Sequence, residues 1–140
     1  HMQNQPETMQ DNPEYQDVLA EVLEFLSERR QQCLNLGMKA DQILLDPGFG
    51  FGKTLAHNLS LFNGLSTMAK ESHPILVGLS RKSMIGQILD ADVNDRLIGS
   101  VTMALLAAQA IYGAGGSAIL RVHDVKETKQ ALNIWQATKK

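Results

Sequence analysis

Three short apolar runs, each followed by a polar turn and then a helical pattern, place the strongest constraint on the fold of this chain. They lie at Gln42–Asp46, Pro74–Leu79 and Ala118–Val122. Each run is too short for a helix and predicts a buried strand. Strands that alternate with helices along a chain pair in parallel. The sequence therefore predicts an α/β fold with about three parallel strands and flanking helices.

Helical patterns fill the segments around these runs. Apolar residues spaced by three or four predict a first helix that is capped by Asn12, carries Pro13 in its first turn and closes at Gly37. The last helix opens with Asp124 and Glu127 at capping-box spacing. The patterns predict three more helices, over 55–68, 84–89 and 94–112.

The composition is that of an ordinary globular domain, with 44% hydrophobic and 20% charged residues. Thirteen basic and 15 acidic residues give a net charge of −2, which argues against a nucleic-acid or membrane partner. The start of the chain does not resemble a signal peptide, and no apolar stretch approaches the roughly 20 residues of a membrane span. The single Cys33 cannot form an internal disulfide, and we interpret it as a core thiol. These features predict a cytoplasmic protein.

Polar side chains follow all three predicted strands. Because the carboxyl ends of parallel strands share one edge of a sheet, these side chains should meet although they are distant in sequence. A carboxylate can accept hydrogen bonds from the amidine-like edge of a heterocycle, and cations can neutralise a phosphate. The edge therefore suits a neutral heterocycle that bears an anionic group. The residues concerned are Asp46, Ser80, Arg81, Lys82, Ser83, Arg121, His123 and Asp124.

Structural roles remain open for several of the same residues. The carboxylate of Asp46 could cap loop amides after the strand. Arg81 and Lys82, taken alone, fit a solvated loop. Arg121 could pair with Asp124 or with a helix terminus. Only the co-occurrence of these residues at three strand ends favours a site.

The glycine-rich loop, defined here as Asp46–Lys53, is not a nucleotide loop. A Walker loop would need its first glycine at Pro47, and a dinucleotide fingerprint would need its third at Lys53. Glycines instead alternate with Phe49 and Phe51. This alternation predicts a loop that sets aromatic faces beside a flat ligand, with a hinge or a tight strand exit as the structural alternative.

Taken in order, the motifs resemble those of the dihydropteroate synthases, a family of pterin-binding (β/α)8 TIM-barrel enzymes, in their bacterial forms. The resemblance extends over nearly the whole chain, although Asn4 stands where the family usually has glycine. The matching segments are 1–3, 6–10, 46–53, 78–83 and 121–125.

The resemblance implies a condensation of 4-aminobenzoate with 7,8-dihydropterin-6-ylmethyl diphosphate in folate synthesis. In the family's dissociative mechanism, diphosphate leaves before the aniline nitrogen attacks. The residues that the resemblance implies to be catalytic are Asp46, Lys82 and Arg121. Arg121 would stack on the pterin and, with His123, hold the diphosphate.

The resemblance also implies a set of substrate-binding residues. Several would line the pterin pocket, and Phe51, Lys82 and Ser83 would form the aminobenzoate site, where sulfonamides compete. The full implied set is Met2, Asp46, Phe51, Gly78, Lys82, Ser83, Arg121, Val122 and His123.

A family barrel has eight strands, so we expect residues 1–140 to form one partial domain, the C-terminal portion of a pterin-binding barrel. His1-Met2 is either native sequence or the remnant of a tag. We expect the Mg²⁺ ligand of the family to lie in the N-terminal half, with no metal site in this chain. Open sheet edges predict a homo-oligomer, and the isolated chain is expected to be inactive. The alternatives are a pterin-binding methyltransferase-type barrel and a non-catalytic half-barrel assembly module.

Overall fold

A short parallel sheet organises the fold. In the computed structural model, which describes residues 1–3, 5–70 and 74–139, strand β1 (Ile75–Val77) pairs in parallel with strand β2 (Ala118–Leu120). On the other side of β1, Leu45 forms a single parallel bridge to Ile75. The three predicted runs do lie side by side in parallel, but the first contributes one bridge instead of a full strand. Asn4 and its departure from the family pattern lie outside the described residues.

All predicted helices are present, and the second is divided in two. The two parts meet at Gly64, where a β-carbon would clash with the side chain of Leu19 in the first helix. Short 3₁₀ turns cover 40–42 and 93–95. The helices are α1 (Val18–Asn35), α2 (Leu55–Asn63), α3 (Leu65–Ala69), α4 (Ser83–Leu89), α5 (Leu97–Gly113) and α6 (Val125–Ala137).

The predicted start of the first helix was wrong. Helix α1 begins at Val18, and the carboxylate of Asp17 caps it by accepting hydrogen bonds from the amides of Leu19 and Ala20. Asn12 has a φ of 53° and bonds locally to Glu14, so it belongs to a turn. A left-handed residue cannot open a right-handed helix, and the aspartate at position 17 takes that role.

The two faces of the sheet differ in burial. Ile75 and Val77 point into a core formed with helices α1 to α5, and each is 2% exposed. On the opposite face, Leu76 lies in register with Ile119, which is 52% exposed. The predicted core thiol, Cys33, is only half-buried near the end of α1. None of the helices described is long and apolar enough to cross a membrane.

Candidate functional site

The glycine-rich loop packs tightly against the first residues of the chain. Gly48 has a φ of 72°, in the left-handed region that side chains other than glycine avoid. A β-carbon there would overlap the carbonyl oxygen of His1. The backbone nitrogen of His1 also lies 2.8 Å from the carbonyl oxygen of Asp46. Glycine is therefore required at position 48 by both conformation and space.

Side chains from three elements hold the loop backbone. The Lys53 Nζ donates to the carbonyl oxygens of Gly48 and Phe51, each at 3.0 Å. The amide of Gly50 donates to Asn58 Oδ1 in α2 at 2.8 Å. The Lys82 Nζ, from the segment after β1, donates to the carbonyl oxygen of Phe49. The loop is thus fixed from both sides by lysine ammonium groups.

The carboxylate of Asp46 caps the loop and still faces outward. Its Oδ1 accepts the amide of Gly48 at 2.8 Å, which confirms the capping role considered for this residue. The residue is nevertheless exposed. Within the described part of the chain, Oδ2 accepts no hydrogen bond that we observe. One oxygen is used structurally, and the other can meet a ligand.

Only one of the two loop phenylalanines faces the strand-end edge. Phe49 is fully buried in the hydrophobic core, whereas Phe51 is 43% exposed. The Lys82 Nζ lies 4.6 Å from the centroid of the Phe51 ring, within cation–π range. The prediction that both aromatic faces would meet a ligand was wrong for Phe49, because the core takes its side chain.

Charged side chains from the other two strand ends, Asp46 and Arg121, act on Lys82. Burial is the main cause that lowers the pKa of Lys82, and Asp46 raises it while Arg121 lowers it further. Both charges therefore lie close enough to act on the Lys82 ammonium. Gly78 and Arg121 follow the last register pair of the sheet, and the Arg121 amide donates to the Val77 carbonyl at 2.9 Å. The structure thus brings Asp46, Gly78, Lys82 and Arg121 together.

A second group of contacts joins the ends of β1 and β2. Ser80 is 7% exposed, and its Oγ accepts the amide of His123 at 3.2 Å. The same Oγ lies 2.9 Å from His123 Nδ1. Because Oγ already accepts one proton, its own proton can go to Nδ1, which leaves the ring proton on Nε2. Nε2 would then be the donor available to an anion.

An ion pair reinforces the same connection. The Arg81 Nη2 lies 2.6 Å from Asp124 Oδ1, and its Nε donates to Oδ2 at 3.2 Å, giving a two-pronged contact. Arg81 holds the pKa of Asp124 below its usual range through this hydrogen bond. The backbone of Arg81 has a φ of 59°, and its amide donates to Ser100 Oγ at 2.9 Å. We call Ser80, Arg81, His123 and Asp124 the anion side.

Three predictions are corrected by this ion pair. Asp124 does not form the predicted capping box, since no side-chain cap bond opens α6 and its carboxylate is bound to Arg81. The partner of Asp124 is Arg81, and not Arg121 as had been considered. Arg81 lies in a partly exposed turn after β1, but its side chain is held by Asp124 and is not free in solvent. In each case a distant partner replaces a local one.

The remaining predicted residues lie around this edge. Ser83 is the exposed first residue of α4 and lines a cavity with Gln10 and Asn58. Met2 is 37% exposed and follows the residue that contacts Asp46. Val122 is half-buried. The ligand roles of all predicted site residues stay predictions.

Sequence reasoning gave no role to Lys53 or Asn58, although both build the site. Lys53 carried a signal, because a lysine directly after a glycine-rich run can bind its carbonyl groups. Asn58 had none, since nothing local marks a helical asparagine as a loop partner. Within residues 1–3, 5–70 and 74–139, no cluster of three or more His, Cys, Asp or Glu side chains could hold a metal ion.

Comparison with known proteins decides the family. A family model described as "Pterin binding enzyme" matches residues 1–123. The chain belongs to the pterin-binding enzymes. Among them it is similar to the dihydropteroate synthase of Haemophilus influenzae, with 49% identity over 138 residues. That match covers 99% of this chain and 48% of the relative.

Solved structures confirm the resemblance and the fold class. The pterin-binding chain superposes on Yersinia pestis dihydropteroate synthase, solved as a sulfonamide drug complex, with a TM-score of 0.90 and 45% identity. It superposes on the Xanthomonas albilineans dihydropteroate synthase with 4-aminobenzoic acid at a TM-score of 0.86 and 41% identity. Both matches cover 99% of this chain and 49% of the other. The chain has the fold of part of a TIM barrel and spans about half the length of these relatives.

Proposed function

We propose that this chain supplies the pterin-recognition edge of a dihydropteroate synthase. The reaction would condense 4-aminobenzoate with 7,8-dihydropterin-6-ylmethyl diphosphate and release diphosphate. One observation carries the proposal: the strand that leads to Lys82 lies between the strand ends that carry Asp46 and Arg121, and the Lys82 ammonium lies 4.6 Å from the centroid of the exposed Phe51 ring. The likeness to dihydropteroate synthases supports the same reaction.

In the proposed reaction, the glycine-rich loop acts on the pterin, and Arg121 with His123 of the anion side acts on the diphosphate. The bond between the pterin methylene carbon and the diphosphate oxygen breaks first, and the electron pair leaves with diphosphate. The outward oxygen of Asp46 stabilises the positive charge that develops on the pterin, and Arg121 with His123 stabilises the departing anion. The aniline nitrogen then bonds to the methylene carbon and loses a proton.

The aminobenzoate would lie beside Phe51 and Ser83. Phe51 offers an exposed aromatic face, and Ser83 presents a hydroxyl at the start of α4. The relatives solved with a sulfonamide and with 4-aminobenzoic acid support a ligand of this class here. We propose that sulfonamides compete for the same place.

We propose that the enzyme uses Mg²⁺ and that its ligand lies in the N-terminal half of the barrel, as the family resemblance implies. No step above is routed through the metal.

We propose that the isolated chain binds a pterin weakly and does not turn over. The uncovered sheet face, with Leu44 at 38% and Ile119 at 52% exposure, needs another surface against it. A second copy of the chain would provide one, in a homo-oligomer. The same face favours the second candidate function, a non-catalytic half-barrel assembly module.

A titration separates the two candidates. We expect isothermal calorimetry with dihydropterin diphosphate to show binding by the parent chain. Arg121→Ala should bind at least tenfold more weakly, because that change removes a cation proposed to hold the diphosphate. The matched control is Lys126→Ala, an exposed cation in α6, which should bind like the parent. Absence of binding by the parent would favour the assembly module, and turnover with both substrates and Mg²⁺ would contradict the proposed inactivity.

A further inference from the structure

Lys53 is a buried cation to which the proposed mechanism gives no task. Its side chain is 4% exposed, and within the described residues no carboxylate lies within salt-bridge distance of it. Burying a charge without a counter-ion is costly, so its stabilisation must come from hydrogen bonds. The Nζ has three partners, namely the carbonyl oxygens of Gly48 and Phe51 and the Nδ1 of His1 at 3.1 Å.

Through these partners, Lys53 supports the two loop residues that are proposed to meet the ligand, Asp46 and Phe51. Gly48 uses its amide to hold the carboxylate of Asp46, while its carbonyl is held by Lys53. Phe51, whose carbonyl is also held by Lys53, presents its ring to Lys82. A single ammonium group therefore holds the carbonyl groups of two residues, Gly48, whose amide binds the Asp46 carboxylate, and Phe51, which carries the exposed ring.

We propose that Lys53 is a positioning residue of the pterin site, a protonation-dependent clamp that keeps the glycine-rich loop in the shape that presents Asp46 and Phe51. The proposal deepens the proposed function and rests on it for the identity of the ligand. The loop geometry itself does not depend on that identity.

The number of protons on Nζ determines how the clamp responds to pH. With the His1 ring in the tautomer that leaves Nδ1 unprotonated, the three acceptors require the three protons of an ammonium group, whereas a neutral amine can donate only two. Burial, followed by the charge of Lys82, lowers the pKa of Lys53 from 10.5 to about 8, and Asp46 opposes this shift. The other titratable groups at the loop are His1 and Tyr15, whose hydroxyl donates to the Gly52 carbonyl at 2.9 Å. The clamp is thus complete below about pH 8 and loses a contact above it.

Stability and loop order should respond to pH in opposite directions. Because the pKa of Lys53 is lower in the folded chain, the unfolded chain binds more protons between about pH 8 and pH 10.5. This residue therefore makes the fold more stable as pH rises through that window. Loop order falls around pH 8, where Lys53 in the folded chain loses its proton, and a purely structural lysine would not produce that change.

Fluorine NMR on protein labelled with fluorophenylalanine tests the clamp without any ligand. The chain has four phenylalanines, so each resonance can be assigned by substitution. We expect the Phe51 resonance of the parent to titrate with a midpoint near pH 8, while that of Phe62 stays constant. Lys53→Met should abolish the step and hold Phe51 at its high-pH position, and Lys53→Arg should restore part of the neutral-pH position.

Two controls isolate the effect of Lys53. Lys82→Met removes the other ammonium at Phe51 and should keep the step, with its midpoint at higher pH because the charge of Lys82 lowers the pKa of Lys53. Lys70→Met removes an exposed lysine and should change nothing. A parent Phe51 resonance without a step near pH 8 would overturn the proposal, and this measurement requires no variant to fold. An unchanged step in folded Lys53→Met would overturn it as well.

A ligand titration then connects the clamp to binding. We expect Lys53→Met to bind dihydropterin diphosphate about tenfold more weakly than the parent at pH 7, with the difference closing at pH 9. If the parent does not bind, the proposed function fails while the fluorine result still decides the clamp. If the parent binds and the variant equals it at pH 7, the positioning role is wrong and the proposed function survives.

Discussion

The glycine-rich loop and the anion side share one edge of the sheet but are built by contacts of different range. In the loop, Asp46 meets Gly48 two residues away, and Lys53 reaches Gly48 over five. On the anion side, both Arg81 to Asp124 and Ser80 to His123 join residues 43 positions apart. The loop combines these local bonds with two long-range contacts, the close approach of His1 to Gly48 and the bond from Lys82 to the Phe49 carbonyl. The anion side exists only when β1 and β2 are paired in the observed register.

The two sides also differ in how they treat charge. The loop encloses a lysine that has only carbonyl and imidazole partners, and burial shifts its pKa. The anion side uses an ion pair open to solvent, where Arg81 is 37% exposed. Electrostatic changes should therefore have larger effects at the loop, because screening by water is weaker there.

The largest effect should come from Gly48→Ala. The new β-carbon would overlap the His1 carbonyl on a backbone with a φ of 72°, so we expect a loss of about 2–5 kcal/mol in unfolding free energy. Urea denaturation measures it. The matched control is Gly113→Ala at the end of α5, where a β-carbon has nothing within 4 Å. Equal stability of the two variants would show that the loop does not depend on close contact with residue 1.

A smaller effect is expected from Ser80→Ala on the anion side. The change leaves the part-buried amide of His123 without its partner and releases the imidazole ring, at a cost of about 1 kcal/mol. Calorimetry with inorganic diphosphate should show about tenfold weaker binding, while the fluorine resonance of Phe51 stays in place. The exposed Ser60→Ala serves as control. Movement of the Phe51 resonance would mean that the two sides are coupled, contrary to their separate construction.

The smallest effect should come from Asp124→Asn. Since Arg81 lowers the pKa of Asp124 below its ordinary 3.8, the carboxylate contributes stability above about pH 4 and loses it as pH falls through the lowered pKa. The variant should therefore be less stable than the parent at pH 7, and the gap should close in acid. Urea midpoints at a series of pH values test this. A gap that persists at the lowest pH would assign the role of Asp124 to backbone geometry instead of charge.

The same difference in range explains what the sequence could predict. Asp46, Lys82 and Arg121 were placed at one edge because apolar runs mark strands, and parallel strands align their ends. The partner of Asp124 could not be predicted, since capping and pairing with Arg121 were both compatible with its neighbours, and the choice depends on a contact 43 residues away.

The packing of helices and loops against one another could not be predicted from the sequence either. Gly64, where the second helix divides, lies against Leu19 of α1, and Phe49 is buried in the core. Neither fact has a local signature. Periodicity indicates that a residue is apolar or helical, but it does not indicate which neighbour lies opposite.

The contact between Gly48 and the His1 carbonyl has a consequence for how this site can vary among related proteins. A ligand pocket can usually change its preference by exchanging any of its wall residues. Here part of the site is formed by the backbone of Gly48 in contact with the backbone of His1. Position 48 therefore does not tolerate another residue, whichever ligand binds. Variation is confined to protruding side chains such as Phe51 and Ser83. Ligands recognised through the backbone of this loop would therefore be harder to escape by mutation than ligands recognised through those two side chains.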